Sequence, residues 1–169
     1  CSSDLLESLY SVAGISQRGQ ISDNFLFCEL IAKYSTSPSE DILEFLKRDV
    51  LNILLGNPDN HGRNSAMLKK NGTVRLSPLY DFAPMFYDPN DIFMRRSIWF
   101  GHEESGRPSW GYILKKLSIY GVDITEEFRV FVKALSELVK VLRVCQVDEF
   151  IIERRLAIIE SEMKKLKEV

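Results

Sequence analysis

Cysteine is scarce. There are three in 169 residues, Cys1, Cys28 and Cys145, too scattered for a zinc spacing or a disulfide framework. That usage fits a reducing compartment and predicts a cytoplasmic protein. Charge of one sign is also lacking: the formal net charge is −2, so no broad basic surface for direct contact with nucleic acid is expected. No apolar run approaches the roughly 20 residues of a membrane span, and no signal-peptide pattern is visible. The nine glycines are dispersed. They form no Gly-x-Gly-x-x-Gly phosphate cradle, and no stretch resembles Val-Ala-Ile-Lys. Residue 1 is Cys and not Met, which suggests a processed or excised piece of a longer protein.

What is present suffices for one domain over residues 1–169, with ordinary apolar content and a mainly helical pattern. Ser3 to about Ala13 reads as a short helix, with Leu5, Leu6, Leu9 and Val12 on one side and Ser2 or Ser3 as cap. Ile21–Tyr34 reads as a second, carrying Phe25, Cys28, Ile31 and Ala32 at helical spacing. Ser37-Pro38-Ser39-Glu40 predicts a helix start with a capping box; Gly56 predicts its stop. Between them Ile42, Leu46, Val50, Ile53 and Leu54 mark the buried face. Asp49 and Asn52 read as solvated polar residues, with a role in bracing the following loop as the alternative. Asn71-Gly72 predicts a hairpin turn between Ser65–Lys69 and Thr73–Leu76. Residues 77–110 read as a long irregular excursion with a short strand near Ile98–Phe100. Three more helical stretches follow: Trp110–Tyr120, then one capped by Asp123 or Thr125 and running to about Val144, then one capped by Asp148. The last two carry apolar stripes that predict an antiparallel pair packed on the body of the protein, with a coiled-coil dimer as the alternative.

The chemistry concentrates in Gly56-Asn57-Pro58-Asp59-Asn60-His61-Gly62-Arg63-Asn64 and in Tyr80-Asp81-Phe82. The first is a polar loop directly after a long apolar helix. The second follows the predicted hairpin, which would bring the two stretches back to one place. Together they offer two carboxylates and an amide oxygen. That is the donor set for phosphoryl transfer from a metal-bound nucleotide: one carboxylate to receive a hydroxyl proton, the other two oxygens to hold Mg²⁺. A helix-terminating turn is the plain alternative, since Gly, Asn, Pro and Asp are common turn formers. A calcium loop is excluded, because His61 is a poor ligand and Leu68 stands where a bidentate Glu is needed.

These stretches, with Leu76-Ser77-Pro78-Leu79-Tyr80-Asp81-Phe82-Ala83-Pro84-Met85 and with Arg96 and Trp99, resemble the C-terminal lobe of HipA-like serine/threonine kinases, most closely over residues 45–99. The Asp-x-His-x-x-Asn core also resembles the catalytic loop of phosphoinositide kinases, which leaves a lipid kinase as an alternative. The HipA-like resemblance implies a mainly α, helical C-terminal lobe of a protein-kinase-like fold, with a small β-hairpin next to the catalytic loop. It implies ATP and Mg²⁺ as cofactors, Asp59 as catalytic base, and Asn64 and Asp81 as metal ligands. His61 and Tyr80 are candidate nucleotide-site residues; for both, bracing or packing is the competing reading. Phe82 would pack beneath the site, and Ala83 stands where protein kinases carry the glycine of Asp-Phe-Gly. Asn57 reads as a loop brace, and Arg63 as either a phosphate contact or a solvated side chain.

The same resemblance implies a bacterial toxin of a toxin–antitoxin pair, with a protein substrate such as an aminoacyl-tRNA synthetase and a HipB-like antitoxin as partner. It also implies a separate N-terminal lobe carrying the phosphate-covering loop and the strand lysine. A truncated, pseudokinase-like module that binds an antitoxin or regulator without chemistry is the alternative from another class. Arg95, Arg96 and Arg107 are candidates for an acidic substrate segment or a phosphate. Trp99 and Trp110 read as core, and His102, Glu103 and Glu104 as a solvated loop.

Overall fold

The structure is a computed structural model; it describes residues 4–17, 19–85 and 94–169. The predicted caps Ser2 and Ser3, and residues 86–93 of the excursion, lie outside the described residues. Helices dominate. In chain order the elements are β1 (Leu5–Ser8), α1 (Leu9–Val12), β2 (Ser22–Asp23), α2 (Asn24–Tyr34), α3 (Pro38–Leu55), β3 (Ala66–Lys70), β4 (Thr73–Leu76), β5 (Ser97–Ile98), β6 (Glu103–Glu104), β7 (Arg107–Pro108), α4 (Trp110–Leu117), α5 (Thr125–Ala134), α6 (Leu138–Val144) and α7 (Glu149–Leu166). The mainly α expectation holds.

The central element is α3. Pro38 occupies its first turn, and Gly56 ends it in the left-handed conformation, φ 74°, with its N–H returned to the Asn52 carbonyl. Ile42, Leu46, Val50 and Leu54 are buried, as the periodicity predicts. The capping box does not form. The Ser37 side chain makes no cap bond. Asp41 draws the local donors instead: it accepts from Ser35 Oγ at 2.5 Å, from Arg75 Nε at 3.0 Å and from the Leu76 N–H at 2.9 Å. Glu40 turns outward to Arg75. The start of α3 is thus tied to β4, and the buried carboxylate outcompetes the local motif.

The hairpin forms as predicted. Asn71 and Gly72 both have positive φ, 50° and 80°, and β3 pairs with β4 in register Met67↔Leu76 to Lys70↔Thr73. The first predicted helix is corrected. Residues Leu5–Ser8 form a strand, antiparallel to β3 with Leu5 opposite Lys69 and Ser8 opposite Ala66, and only Leu9–Val12 are helical. The hairpin's outer edge offers unpaired backbone groups, and pairing with them satisfies more of this segment than an isolated helical turn would. Ile21 also lies outside α2, because Ser22 and Asp23 pair in parallel with Ser97 and Ile98 and Asp23 then caps α2.

The core runs through an aromatic chain. Trp99 is fully buried, with its ring 4.9 Å from Phe25, 6.5 Å from Phe45 and 6.3 Å from Trp110 between centroids. Trp110 continues to Phe128 of α5 at 5.7 Å. Both tryptophans are core, as expected. A 3₁₀ turn at Leu135–Glu137 separates α5 from α6, where the sequence predicts one helix. Asp148 caps α7, accepting from the Phe150 N–H. Ile152, Ile159, Met163 and Leu166 of α7 are buried in the chain's own core, so the stripe packs internally and is not an open dimer seam. Arg155 of α7 donates to the carbonyls of Ile53 and Leu54, at the end of α3. Among the described residues no helix is long and apolar enough to cross a membrane.

Two polar expectations are also overturned. Asp49 is 3% exposed and not solvated. The Glu103 side chain is 3% exposed and paired with Arg95, so this part of the 102–104 loop is interior. A buried carboxylate needs donors: those of Asp49, which are Arg95 and Trp99, come 46 and 50 positions later, and those of Glu103, which are Arg95 and the Trp99 N–H, come from the segment just before it. Arg107 pairs with Glu162. His102 stacks on Tyr112 at 3.8 Å.

Candidate active site

The loop 56–64 leaves α3 at Gly56 and returns to the sheet at β3. Its amide side chains hold its own backbone. Asn57 Nδ2 donates to Asn52 Oδ1 at 2.9 Å, and Asn57 Oδ1 accepts from the Asp59 N–H at 3.2 Å. Asn64 Nδ2 donates to the Asp59 carbonyl at 2.9 Å. Both peptide groups of Asp59 are therefore fixed by asparagines. The brace expected of Asn57 is present, and Asn52 belongs to it. Gly62 lies against Tyr10 and Phe27: a Cβ there would sit 2.3 Å from Tyr10 Cδ1 and 2.6 Å from Phe27 Cζ. The loop needs glycine at this point because two core rings occupy the side-chain space.

The second stretch descends from β4. The Ser77 N–H donates to the Ala66 carbonyl, and Tyr80 Oη donates to the Arg63 carbonyl at 2.7 Å, closing this segment onto the loop. Burial pushes the Tyr80 phenol above its ordinary value; Arg48 opposes the shift and Asp81 adds to it. Asp81 has a positive φ of 53°, left-handed backbone that aspartate tolerates better than most residues. Such a conformation costs on the order of 1–3 kcal/mol and clusters at functional sites.

Asp59, Asn64, Tyr80 and Asp81 line one cleft, together with Phe82 and Arg48. The hairpin thus brings together two stretches that are separate in the chain. The cleft's enclosed space is about 20 Å³, against the roughly 10–15 Å³ needed for one water. Asn64 spends its amide N–H on Asp59, which leaves Oδ1 as its acceptor. Among the described residues no side chain or backbone donor bonds the Asp81 carboxylate. One carboxylate and one neutral amide oxygen fit Mg²⁺, which keeps waters and takes the rest of its ligands from phosphates. No group of three or more His, Cys, Asp or Glu side chains converges on a metal position among the described residues.

His61 is not among the residues lining the cleft. It stands beside Asp59 instead, with Nε2 3.6 Å from Asp59 Oδ1 and its ring 6.1 Å from that of Tyr10. Its Nδ1 is buried with no partner among the described residues. The other ring nitrogen, Nε2, is the one that faces Asp59. Arg63 lies over the Tyr10 ring at 5.7 Å.

Sequence reading missed Arg48. Its Nε donates to Glu44 at 2.9 Å and its Nη2 to the Ser77 carbonyl at 2.8 Å, tying α3 to the segment that carries Asp81. Its Nη1 has no partner among the described residues. The available signal was spacing: Arg48 sits one helical turn before Asn52, on the side of α3 that faces the loop.

A family model described as HipA-like C-terminal domain matches residues 5–147. The chain is also similar to "Putative kinase Y4mE" of Sinorhizobium fredii (strain NBRC 101917 / NGR234), 36% identical over 53 residues. That match covers 31% of this chain and 13% of the relative's length.

Proposed function

Since the chain belongs to the HipA-like C-terminal domain family, we propose that it is the C-terminal lobe, over residues 1–169, of a protein-kinase-like fold that transfers phosphate from ATP to a protein serine or threonine. The observation that carries this reading is the convergence of Asp59, Asn64 and Asp81 on one cleft from two separate segments. The relative's name, a kinase, supports the same class.

In this reading Asp59 orients the acceptor hydroxyl and receives its proton. An aspartate is a weak base, so positioning is its main contribution, with the proton moving late in a loose transition state. His61 faces the Asp59 carboxylate through Nε2 and borders it on that side. Asn64 Oδ1 and the Asp81 carboxylate would hold Mg²⁺; one neutral ligand limits repulsion in a site already rich in negative oxygen. The bound ion would supply charge neutralisation on the phosphates. Phe82 lines the same cleft as Asp81, and Tyr80 locks the segment to the loop. The nucleoside and the phosphate-covering loop belong to a separate N-terminal lobe. A HipB-like antitoxin as partner, an aminoacyl-tRNA synthetase as substrate and a cytoplasmic setting follow from the family resemblance and complete the proposal.

The test is transfer of the ATP γ-phosphate by the gene product containing this chain, with protein acceptors and phosphoinositide vesicles offered in parallel. Mg²⁺-dependent formation of phosphoserine or phosphothreonine on protein, prevented by EDTA, is the expected result. Label on lipid alone, or no transfer to any acceptor, would overturn the proposal.

A further inference from the structure

Asn60 follows the proposed base directly, and it is the most tightly held side chain of the loop. Its Oδ1 accepts from the backbone N–H of Arg96 at 2.9 Å and of Ser97 at 3.0 Å. Its Nδ2 donates to the Ser97 carbonyl at 2.8 Å and to Asp49 Oδ1 at 3.2 Å. The partners fix the amide's orientation: two are donors that can meet only oxygen, and two are acceptors that can meet only N–H. An aspartate here would face a carboxylate and a carbonyl. A leucine would remove all four of these bonds to backbone and charged groups.

Asp49 anchors the other end. It lies on α3, is buried, and accepts from Arg95 Nη2 at 2.9 Å to each oxygen and from Trp99 Nε1 at 2.8 Å. Asn24 Nδ2 stands at 3.5 Å. Arg95 in turn is held by Glu103 at 2.8 Å. Burial alone would weaken the Arg95 charge; Asp49 and Glu103 outweigh that and hold the guanidinium above its ordinary value. Arg96 N–H also donates to the Pro58 carbonyl at 3.3 Å, and the Ser22 N–H donates to the Arg96 carbonyl. The loop is thus stapled immediately before and after Asp59 to the 96–97 strand, which itself pairs with β2 beside α2. α3, the loop and the Trp99 core meet at these two side chains.

We propose that Asn60, clamped by the buried Asp49, is the positioning residue that sets the placement of Asp59 against its acceptor. This rests on the kinase reading of Asp59. Asn60 and Asp49 border the same cleft, but their polar atoms are already bonded to protein groups, so each acts through the peptide that joins Asn60 to Asp59. Placement of a catalytic group matters because a misplacement of about 1 Å can cost on the order of 10²-fold in rate.

The test compares four versions of the gene product: parent, Asn60→Asp, Asp49→Asn, and the exchanged pair Asp49→Asn with Asn60→Asp. The isosteric single changes set carboxylate against carboxylate, or amide against amide. The exchanged pair returns a donor at residue 49 to an acceptor at residue 60 and keeps the buried charge constant, but leaves the residue 60 carboxylate against the Ser97 carbonyl and takes one acceptor oxygen from Arg95 and Trp99. The readouts are kcat and KM for MgATP per folded molecule, the melting temperature, and an Asp59→Asn control. Asn60→Asp is expected to lower kcat by about 10²-fold with KM within about twofold, and the exchanged pair, with one of two repulsions relieved, to regain part of that loss. Single variants that melt earlier but keep the parent's kcat would overturn the inference while leaving the kinase reading intact. A parent without Asp59-dependent transfer would overturn both.

Discussion

Asp59→Asn should lower kcat for phosphoryl transfer by about 10³-fold, within the 10²–10⁴-fold range that a positioned base supplies. The substitution keeps the size of the side chain and removes its capacity to take a proton. It also places a donor where the acceptor hydroxyl's own donor must point. Folding should be unaffected. The Asp59 side chain is 29% exposed, and its contact with His61 is long, at 3.6 Å. The bonds that hold residue 59 are made by its backbone, to Asn57 and Asn64, and survive the change. Nucleotide affinity should stay close to the parent's, because the proposed metal ligands are Asn64 and Asp81. Steady-state kinetics with the gene product, resolved into kcat and KM for MgATP, check this. A variant that keeps the parent's kcat and loses only KM would show that Asp59 serves binding and not proton transfer.

Gly62→Ala should be the most damaging single methyl group in the loop. The added carbon would lie 2.3 Å and 2.7 Å from two Tyr10 ring atoms and 2.6 Å from Phe27. Neither ring has room to retreat. Tyr10 is 3% exposed and Phe27 1%, their centroids are 6.1 Å apart, and Tyr10 Oη is held by the Gln20 carbonyl. The loop itself is pinned on this side, since the Tyr10 N–H donates to the Gly62 carbonyl at 3.2 Å. Overpacking of this kind costs about 1–3 kcal/mol, which for a protein of this size lowers the melting temperature by roughly 2–12 °C. Any relief must come from moving the loop, so kcat should fall as well. Gly111→Ala in α4 is the control: nothing lies within 4 Å of its added carbon, and the helix should gain up to about 1 kcal/mol. Equal thermal stability of the Gly62→Ala variant and the parent would mean that the loop is not seated on the Tyr10 and Phe27 rings.

The parts of the fold that were readable from sequence are those set by local chemistry. Pro38 and Gly56 bound α3 because each constrains its own backbone, and Asn71-Gly72 makes its turn for the same reason. The parts that were not readable depend on partners distant in the chain. Leu5 and Leu6 have helical spacing with Leu9, yet they form a strand because the β3 edge is available to them. Glu40 fits a capping box, yet Arg75 claims it from the hairpin. Asp49 looks like a solvated helix residue because its main partners, Arg95 and Trp99, come 46 and 50 positions later.

The candidate site divides in the same way. The hairpin brings Asp59, Asn64 and Asp81 to one cleft, and all three were singled out by residue type and spacing. The side chains around them were not. Arg48 and Asn60 have ordinary sequence contexts, and their importance comes from geometry: a guanidinium that ties α3 to the Ser77 carbonyl, and an amide that meets four partners in one orientation. Asn52 was named but read as solvated, and it proves to accept from Asn57 at the base of the loop.

The central claim is a division of labour, with Asp81 and Asn64 holding the metal and Asp59 acting on the hydroxyl. Calorimetric titration of a non-hydrolysable ATP analogue into the gene product, with and without Mg²⁺, tests it most directly. Asp81→Ala should weaken Mg²⁺-dependent binding by about tenfold or more, Asn64→Ala by less, and Asp59→Asn should leave it within about twofold of the parent. Mg²⁺-dependent binding by Asp81→Ala as tight as the parent's would contradict the claim.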